Sequence, residues 1–278
     1  MTTVGSREKI KIINKNKLLT KVIVCGILHP NNIDYFSSFI ENLNNQTYPS
    51  FDLLIINEGI DNLKLNFIKG QLFIEDSVTL DPKKNRDQMF ESLRKLKYDV
   101  NILTDLDDLM SNDRVNESVI SITKNKSDIC YNDIVPFVDE KQISINDRFW
   151  SEREDFKNQK PNIKHNVFGL GNTAISSRIS SLDIKVSDNP VYDWEYFLKV
   201  YSLSKYIISK SNGYTFYRQI NNTLGISELA KKKIDQIRII KIFTLNQVTD
   251  KYTSAKEEIL KIKNKNYKKI NKPYWFEL

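Results

Sequence analysis

The chain has 278 residues, of which 40% are hydrophobic and 11% aromatic, ample for a sizeable core and outside the range of a disordered polypeptide. Its formal charge of +7 is uneven: residues 1–21 carry six basic residues against one acidic, residues 228–272 thirteen against five, and residues 22–227 hold 23 basic and 28 acidic. An acidic centre with basic ends argues against a nucleic-acid footprint over the fold, and for tails that rest on an anionic surface or form solvated helix faces.

From the N-terminus, charges run through the first 21 residues and the apolar run "VIVCGIL" is short, so no secretory signal is expected. No stretch reaches the roughly 18 apolar residues of a membrane span. "KVIVCGIL" (21–28) predicts a strand. In "IDYFSSFIENLNNQTY", Ile33, Phe36, Phe39, Ile40 and Leu43 fall at helical spacing, with Asn31 or Asn32 as the cap. Pro49 stops that helix, "FDLLIINEG" (51–59) reads as a second strand ended by Gly59, and "GQLFIED" (70–76) as a third. A helix over about 84–97 presents Met89, Phe90, Leu93 and Leu96 on one face, and "DVNILTD" (99–105) is a fourth strand. Asp105, Asp107 and Asp108 crowd its end, where unpaired negative charge is costly, so something positive belongs there.

A helix around 113–124 and the strand "DICYNDIVPFVD" (128–139) follow, and residues 143–166 lack periodicity and read as loops. "VFGLGNTAISSRIS" (167–180) is Gly-rich without phosphate-loop or dinucleotide spacing. "DWEYFLKVYSLS" (193–204) is helical, with Trp194, Phe197, Leu198 and Tyr201 on one face, and "YIISKSNGYTFYRQI" (206–220) predicts two short strands across a Ser-Asn-Gly turn. The tail, 228–266, predicts a long helix with Val248, Tyr252, Ala255, Ile259 and Ile262 in a four-three rhythm. Cys25 and Cys130 read as buried free thiols, and with His29 and His165 they show no zinc spacing. The expected organisation is a basic extension over 1–20, a central domain over 21–225 and a basic helical extension over 226–278.

Strands alternating with helices imply an α/β fold with a Rossmann-like, doubly wound, mostly parallel sheet. Ligands of such sheets bind outside the carboxyl ends of the strands, so "HPNN", "NEGIDN" and "DLDD" should share one edge.

In this order the segments resemble the GT-A fold glycosyltransferases of family 2. The resemblance rests on "KVIVCGILHPNN" with "NQTYPSFDLLIINEGIDN", on "KKNRDQMFESLRKLKYDVNILTDLDDLMSNDRV", and on "GLGNTAISSR", "YDWEYFLKV" and "YTFYR", together spanning about residues 21–225. It implies a metal-dependent, inverting transferase that moves a sugar from a nucleotide-diphosphate sugar, a UDP-sugar by preference, to a hydroxyl of a glycan or lipid-linked glycan of the capsule or lipopolysaccharide kind. Asp107 resembles the family's metal ligand and Asp105 its contact to the ribose or a metal water, while Asp108 supports that shell or caps the next segment. The metal would be Mn²⁺ or Mg²⁺, which take oxygen ligands and neutralise a leaving diphosphate.

Asp193 falls at the family's base position at a helix start, with Glu195 as second choice, and Tyr192 stands where an acidic residue is usual. Asn57-Glu58-Gly59 replaces the usual Asp-Asp-Gly, so Asn57 would meet a base edge and Glu58 take the acidic contact. His29 either approaches the nucleotide or is a surface histidine, and Arg86 either meets the diphosphate or decorates a helix. Arg178 and Arg218 would clamp a phosphate or acceptor or form structural salt bridges, and Trp150, Trp194 and Tyr217 would offer sugar-stacking faces or be buried. The resemblance implies a cytoplasmic protein, peripheral at the inner membrane face or dimeric through its C-terminal helix, with no nucleic-acid partner. Two other readings stay open: a nucleotidyltransferase on a related fold, although "HPNN" lacks the Gly-rich loop of those enzymes, and a non-catalytic binding module.

Overall fold

The computed structural model describes residues 20–61, 63, 65–144, 166–189, 191–203, 206–219, 241–250 and 253–264. Residues 1–19, Trp150, His165, Tyr252, the start of the C-terminal extension and the end of the tail lie outside the described residues. Among the described residues eight strands form one sheet: β1 (Val22–Leu28), β2 (Asp52–Asn57), β3 (Leu72–Asp76), β4 (Val100–Leu103), β5 (Leu109–Met110), β6 (Ile129–Phe137), β7 (Thr173–Ser176) and β8 (Ile208–Arg218). Their order is β3-β2-β1-β4-β7-β6-β8-β5.

β1, β2, β3 and β4 pair in parallel, β7 enters antiparallel between β4 and β6, and β8 pairs parallel to β6. β6 and β8 therefore run with β4, and the α/β sheet is mostly parallel as expected. The chain moves outward from β1 to β3 and returns to β4 on the other side of β1. The order thus reverses between β1 and β4, which is where doubly wound sheets open a crevice.

The helices among the described residues are α1 (Ile33–Asn44), α2 (Pro82–Leu96), α3 (Arg114–Thr123), α4 (Ser177–Ser180), α5 (Tyr192–Leu203) and α6 (Thr253–Lys263), with a further helical stretch at 241–246. Strand side chains alternate between faces. Val22, Val24, Leu53, Ile55 and Ile102 meet α1 and α3 through Phe36, Phe39, Leu43, Val115 and Val119. Ile23, Cys25, Leu54, Ile56 and Leu103 meet α2 and α5 through Met89, Phe90, Leu93, Tyr196 and Phe197. Cys25 and Cys130 are free and buried.

Three local expectations change. Residues 206–220 do not fold back at Ser211-Asn212-Gly213: β8 is a single strand over Ile208–Arg218 beside β6, and its register shifts there, with Ser211, Asn212 and Gly213 standing opposite the one β6 residue Asn132. Gly213 serves close approach and not a turn, since a Cβ there would stand 2.8 Å from the Arg114 Cα. The second change is in α5, which does not bury a single stripe: Tyr196, Phe197 and Val200 face the sheet, while Trp194 and Leu198 face the C-terminal segment. Third, the tail is not one continuous helix, because turns over 247–250 interrupt it. Its apolar stripe is buried in the fold, with Val248, Ala255 and Ile259 packed on Trp194 and Leu198. That stripe is therefore not a free face for a membrane or a second chain. No helix among the described residues is long and apolar enough to cross a membrane.

Candidate active site

The crevice between β1 and β4 opens into a cleft of about 240 Å³ lined by Gly26, His29, Glu58, Arg86, Asp105 and Leu170, among others. The three polar segments expected at one edge meet there. His29 caps the turn at Pro30–Asn32, its Nδ1 accepting the Asn31 N–H at 3.1 Å, and its Nε2 stands 3.7 Å from Glu58 Oε2. Glu58 is buried, its other oxygen accepting a bond from the fully buried Asn85 amide of α2. Asn57 does not face the cleft. Its amide donates to Ile60 O and Asp76 Oδ1, each at 3.0 Å, and its Oδ1 accepts the Ile60 N–H, so its polar atoms close the turn that sets Glu58 at the rim.

The acidic cluster has its positive partners, and they come from the chain itself. Arg114, at the start of α3, is fully buried; its Nη2 donates to Leu103 O at 2.9 Å, while Nε and Nη1 have no hydrogen-bond partner. Burial pushes its guanidinium down to about 10, while Asp108 and Asp105 act to raise it. Arg218, at the end of β8, grips the other side. Its backbone N–H donates to Asp108 Oδ1 at 2.8 Å, its Nε to the Asp107 carbonyl at 2.7 Å and its Nη2 to Glu140 at 2.6 Å. Its guanidinium also lies 4.5 Å from the Tyr35 ring centroid and 4.7 Å from that of Phe137. Arg218 is thus the brace of the 105–108 turn.

The carboxylates remain under strain despite both arginines. Burial and the charges of Asp107 and Asp193 push Asp105 up to about 7, with Arg86 and Arg114 opposing. Asp107 is raised by burial, although its own backbone N–H and Arg218 act to lower it. Asp108 is raised well above the carboxylate range by burial and its two neighbours, and its Oδ2 is buried with no partner.

Asp193 arrives from the first turn of α5. Its Oδ1 accepts the Trp194 N–H at 3.0 Å and its Oδ2 accepts the Asn166 amide at 3.1 Å. Burial raises its pKa, and Arg86 and the two donors act against that rise. Arg86, which reaches both carboxylates electrostatically, stands 5.9 Å from the Tyr192 ring centroid, and the Tyr192 hydroxyl donates to Asp87 at 2.8 Å. The residue in the usual acidic position therefore tethers α5 to α2 beside the arginine.

Besides Asn57, three further expected residues are not brought to this cleft. Glu195 is fully buried on the other side of α5, bonded to Ser187 and Asn189 and paired with Lys199 at 2.7 Å. Burial would raise its pKa, but those donors outweigh it and hold the carboxylate low. Trp194 packs among Leu198, Leu245 and Val248 beneath the C-terminal segment. Arg178 follows β7, whose Ser176 pairs with Val100 at the start of β4, so it sits at the opposite sheet edge, bound to Asp128 at 3.0 Å. Arg114 and Asn166 escaped the sequence reading, because a helix-start arginine and an asparagine in an aperiodic stretch carry no distinguishing pattern.

Among the described residues no three His, Cys, Asp or Glu side chains form a ready metal cage. A smaller donor set is present. A Cβ on Gly171 would stand 2.8 Å from Asp105 Oδ2 and 3.2 Å from Asp108 Oδ2, so two carboxylate oxygens converge on the space beside that glycine, and the second has no other partner. Hard oxygens, few in number and short of positive charge, suit a cation that takes its remaining ligands from phosphate and water.

No family model and no curated protein matches the chain. Solved structures do. Staphylococcus aureus TarS, residues 1–349, superposes with a TM-score of 0.60 at 14% identity over 89% of this chain and 72% of that one. The same protein in complex with UDP-GlcNAc gives 0.58 at 14% identity, over the same shares of the two chains. The mannosyltransferase PcManGT from Pyrobaculum calidifontis, in complex with GDP-Man and Mn²⁺, gives 0.54 at 10% identity over 88% of this chain and 68% of that one. At such identities the likeness is one of fold. The chain has the GT-A glycosyltransferase fold.

Proposed function

We propose that the protein is an inverting glycosyltransferase that moves a sugar from a nucleotide-diphosphate sugar to an acceptor hydroxyl. The observation that carries this is that Asp105 and Arg86 line one cleft at the sheet's reversal point and that Asp193 lies within electrostatic reach of both, on a GT-A fold. TarS binds UDP and UDP-GlcNAc, which supports a UDP-sugar as donor, while the GDP-Man complex of PcManGT marks the other base as the arm to test.

In this reading Glu58 and His29 meet the nucleoside and Arg86 the diphosphate. Asp193 accepts the proton of the incoming hydroxyl as its oxygen bonds to the anomeric carbon, and the bond from that carbon to the diphosphate oxygen breaks with its electron pair. Donation from Asn166 and the Trp194 N–H favours the ionised Asp193 that this step needs. Asp105 and Asp107, with the free oxygen of Asp108, would hold Mn²⁺ or Mg²⁺, which when bound neutralises charge developing on the leaving diphosphate. Asp107 is the ligand we would remove first. A glycan or lipid-linked glycan of the cell surface is the acceptor class we propose, made on the cytoplasmic side.

The test is turnover of a panel of nucleotide sugars with Mn²⁺ or Mg²⁺, comparing wild type with Asp107→Ala and Asp193→Ala. Both variants should lose transfer. Full metal-dependent turnover in Asp107→Ala would overturn the metal assignment, and normal transfer by Asp193→Ala the base. Release of diphosphate from a nucleoside triphosphate would point to nucleotidyl transfer.

A further inference from the structure

Among the described residues ten large hydrophobic side chains are exposed, and four of them, Ile68, Ile74, Val78 and Leu80, lie on or beside the edge strand β3. Val78 and Leu80 are the most exposed of the ten, at 90% and 80%. Their loop is tied down by polar groups of Ser77, Thr79 and Asp81. The Ser77 N–H donates to Asn57 O at 2.8 Å and its hydroxyl bonds Asn85. The Thr79 N–H donates to Ser77 Oγ and the Thr79 hydroxyl accepts the Asp81 N–H, both at 3.1 Å. Asp81 in turn caps α2 by accepting the Lys83 N–H at 2.9 Å. Residues 77, 79 and 81 are thus anchored, and 78 and 80 are held out in water.

A second irregularity adjoins the first. α2 opens with Lys83 and Lys84 and has no acidic residue in its first turn, although the positive end of the helix dipole disfavours cations there. Lys83 has a partner in Asp87 at 3.0 Å, and Lys84 is exposed. Two aliphatic tips beside two lysines fit a surface that is apolar within and anionic at its face. They fit a protein interface less well, since the centres of such interfaces are rich in aromatic residues and poor in lysine. Pro82 and Arg86 of the same helix line the cleft, so whatever binds here sits at its mouth.

We propose that residues 78–84 seat the protein on an anionic lipid surface, with Val78 and Leu80 entering the boundary between headgroups and acyl chains and the exposed Lys84 meeting a lipid phosphate. The proposal stands apart from the transferase reading. It also assigns the membrane contact to a different surface from the C-terminal stripe, which is buried against α5.

Sedimentation of the full chain with vesicles of phosphatidylcholine alone, or of equal parts phosphatidylcholine and phosphatidylglycerol, tests it. Wild type should bind the anionic vesicles and release in high salt. Val78→Ser with Leu80→Ser should weaken binding at least tenfold with an unchanged melting temperature, and Lys84→Glu should weaken it at low salt. Wild-type binding by the double serine variant would assign the contact to the basic tails and overturn the proposal. A concentration-dependent dimer that the double variant abolishes would assign the patch to a second copy. If Lys84→Glu weakened binding of a free nucleoside diphosphate as much as binding of vesicles, the lysines would belong to the cleft and the proposal would fail. Loss of sugar transfer with vesicle binding intact would count against the transferase reading alone.

Discussion

Burial and two neighbouring carboxylates push Asp105 up to about 7, against about 4 for an aspartate in an unfolded chain. The fold therefore favours the protonated form. Asp105's contribution to stability is complete below about pH 4 and is lost as the pH rises through 7. In metal-free protein Asp105→Asn should raise stability at pH 8 by about 1–3 kcal/mol and change it little at pH 4. Denaturant unfolding at the two pH values measures this, and an unchanged difference between them would assign the pH dependence to another group. Mn²⁺ should raise the melting temperature more at pH 8 than at pH 5, because protons compete for the same oxygens. The two acids of α5 separate by a similar logic. Asp193→Asn should remove turnover by about 10²–10⁴-fold and leave folding intact, since it deletes a charge that burial disfavours. Glu195→Gln should cost about 1–3 kcal/mol by weakening bonds to Ser187 and Lys199, with near-normal turnover of the folded protein. The reverse pattern would exchange their roles.

At the scale of elements, two glycines show how strand and turn set the site. Gly213 lets β8 pass against α3, where a Cβ would meet the Arg114 backbone at 2.8 Å. Backbone cannot swing aside as a side-chain tip can, so Gly213→Ala should destabilise by about 1–3 kcal/mol and disturb the arginine under the acidic turn. Gly171→Ala meets carboxylate tips of Asp105 and Asp108 instead, which can rotate away. It should fold with a nearly normal melting temperature yet lose metal-dependent activity, and equal losses in both variants would refute the distinction. This contrast also explains what the sequence revealed. The continuous apolar runs of β1, β2 and β4 announce themselves because both faces of those strands are buried, and the apolar spacing of α1 and α2 because each helix buries one repeating face. Ser211-Asn212-Gly213 misled because glycine serves both turns and close contacts, and only the partner, Arg114, distinguishes them. β7 and the two-residue β5 carry too few residues for a period to show.

For the molecule as a whole, the central question is why a basic C-terminal segment accompanies the α/β domain. Of its expected roles, pairing two chains needed the Val248–Ile262 stripe to be free, while resting beside a membrane called on its basic residues. Amphipathic spacing reports that a face is buried and cannot say against what, so the sequence left that open. In the structure Val248, Ala255 and Ile259 cover Trp194 and Leu198, on the outer side of the helix whose first turn carries Asp193. The segment thus closes a second apolar layer over α5, while Tyr196 and Phe197 hold the inner side against Phe90 and Phe168. An Ile259→Asp substitution would place a charge in that layer and should cost about 3–5 kcal/mol, the scale of an unpaired charge in a packed site. Because Trp194 lies beneath it, its fluorescence should shift to the red as the layer opens. If α5 relies on this cover to present Asp193, kcat should fall with the fluorescence shift at temperatures where the sheet is still folded, while nucleoside-diphosphate affinity holds. A variant that lost nucleotide affinity in parallel would show that the layer supports the whole sheet, and not α5 in particular.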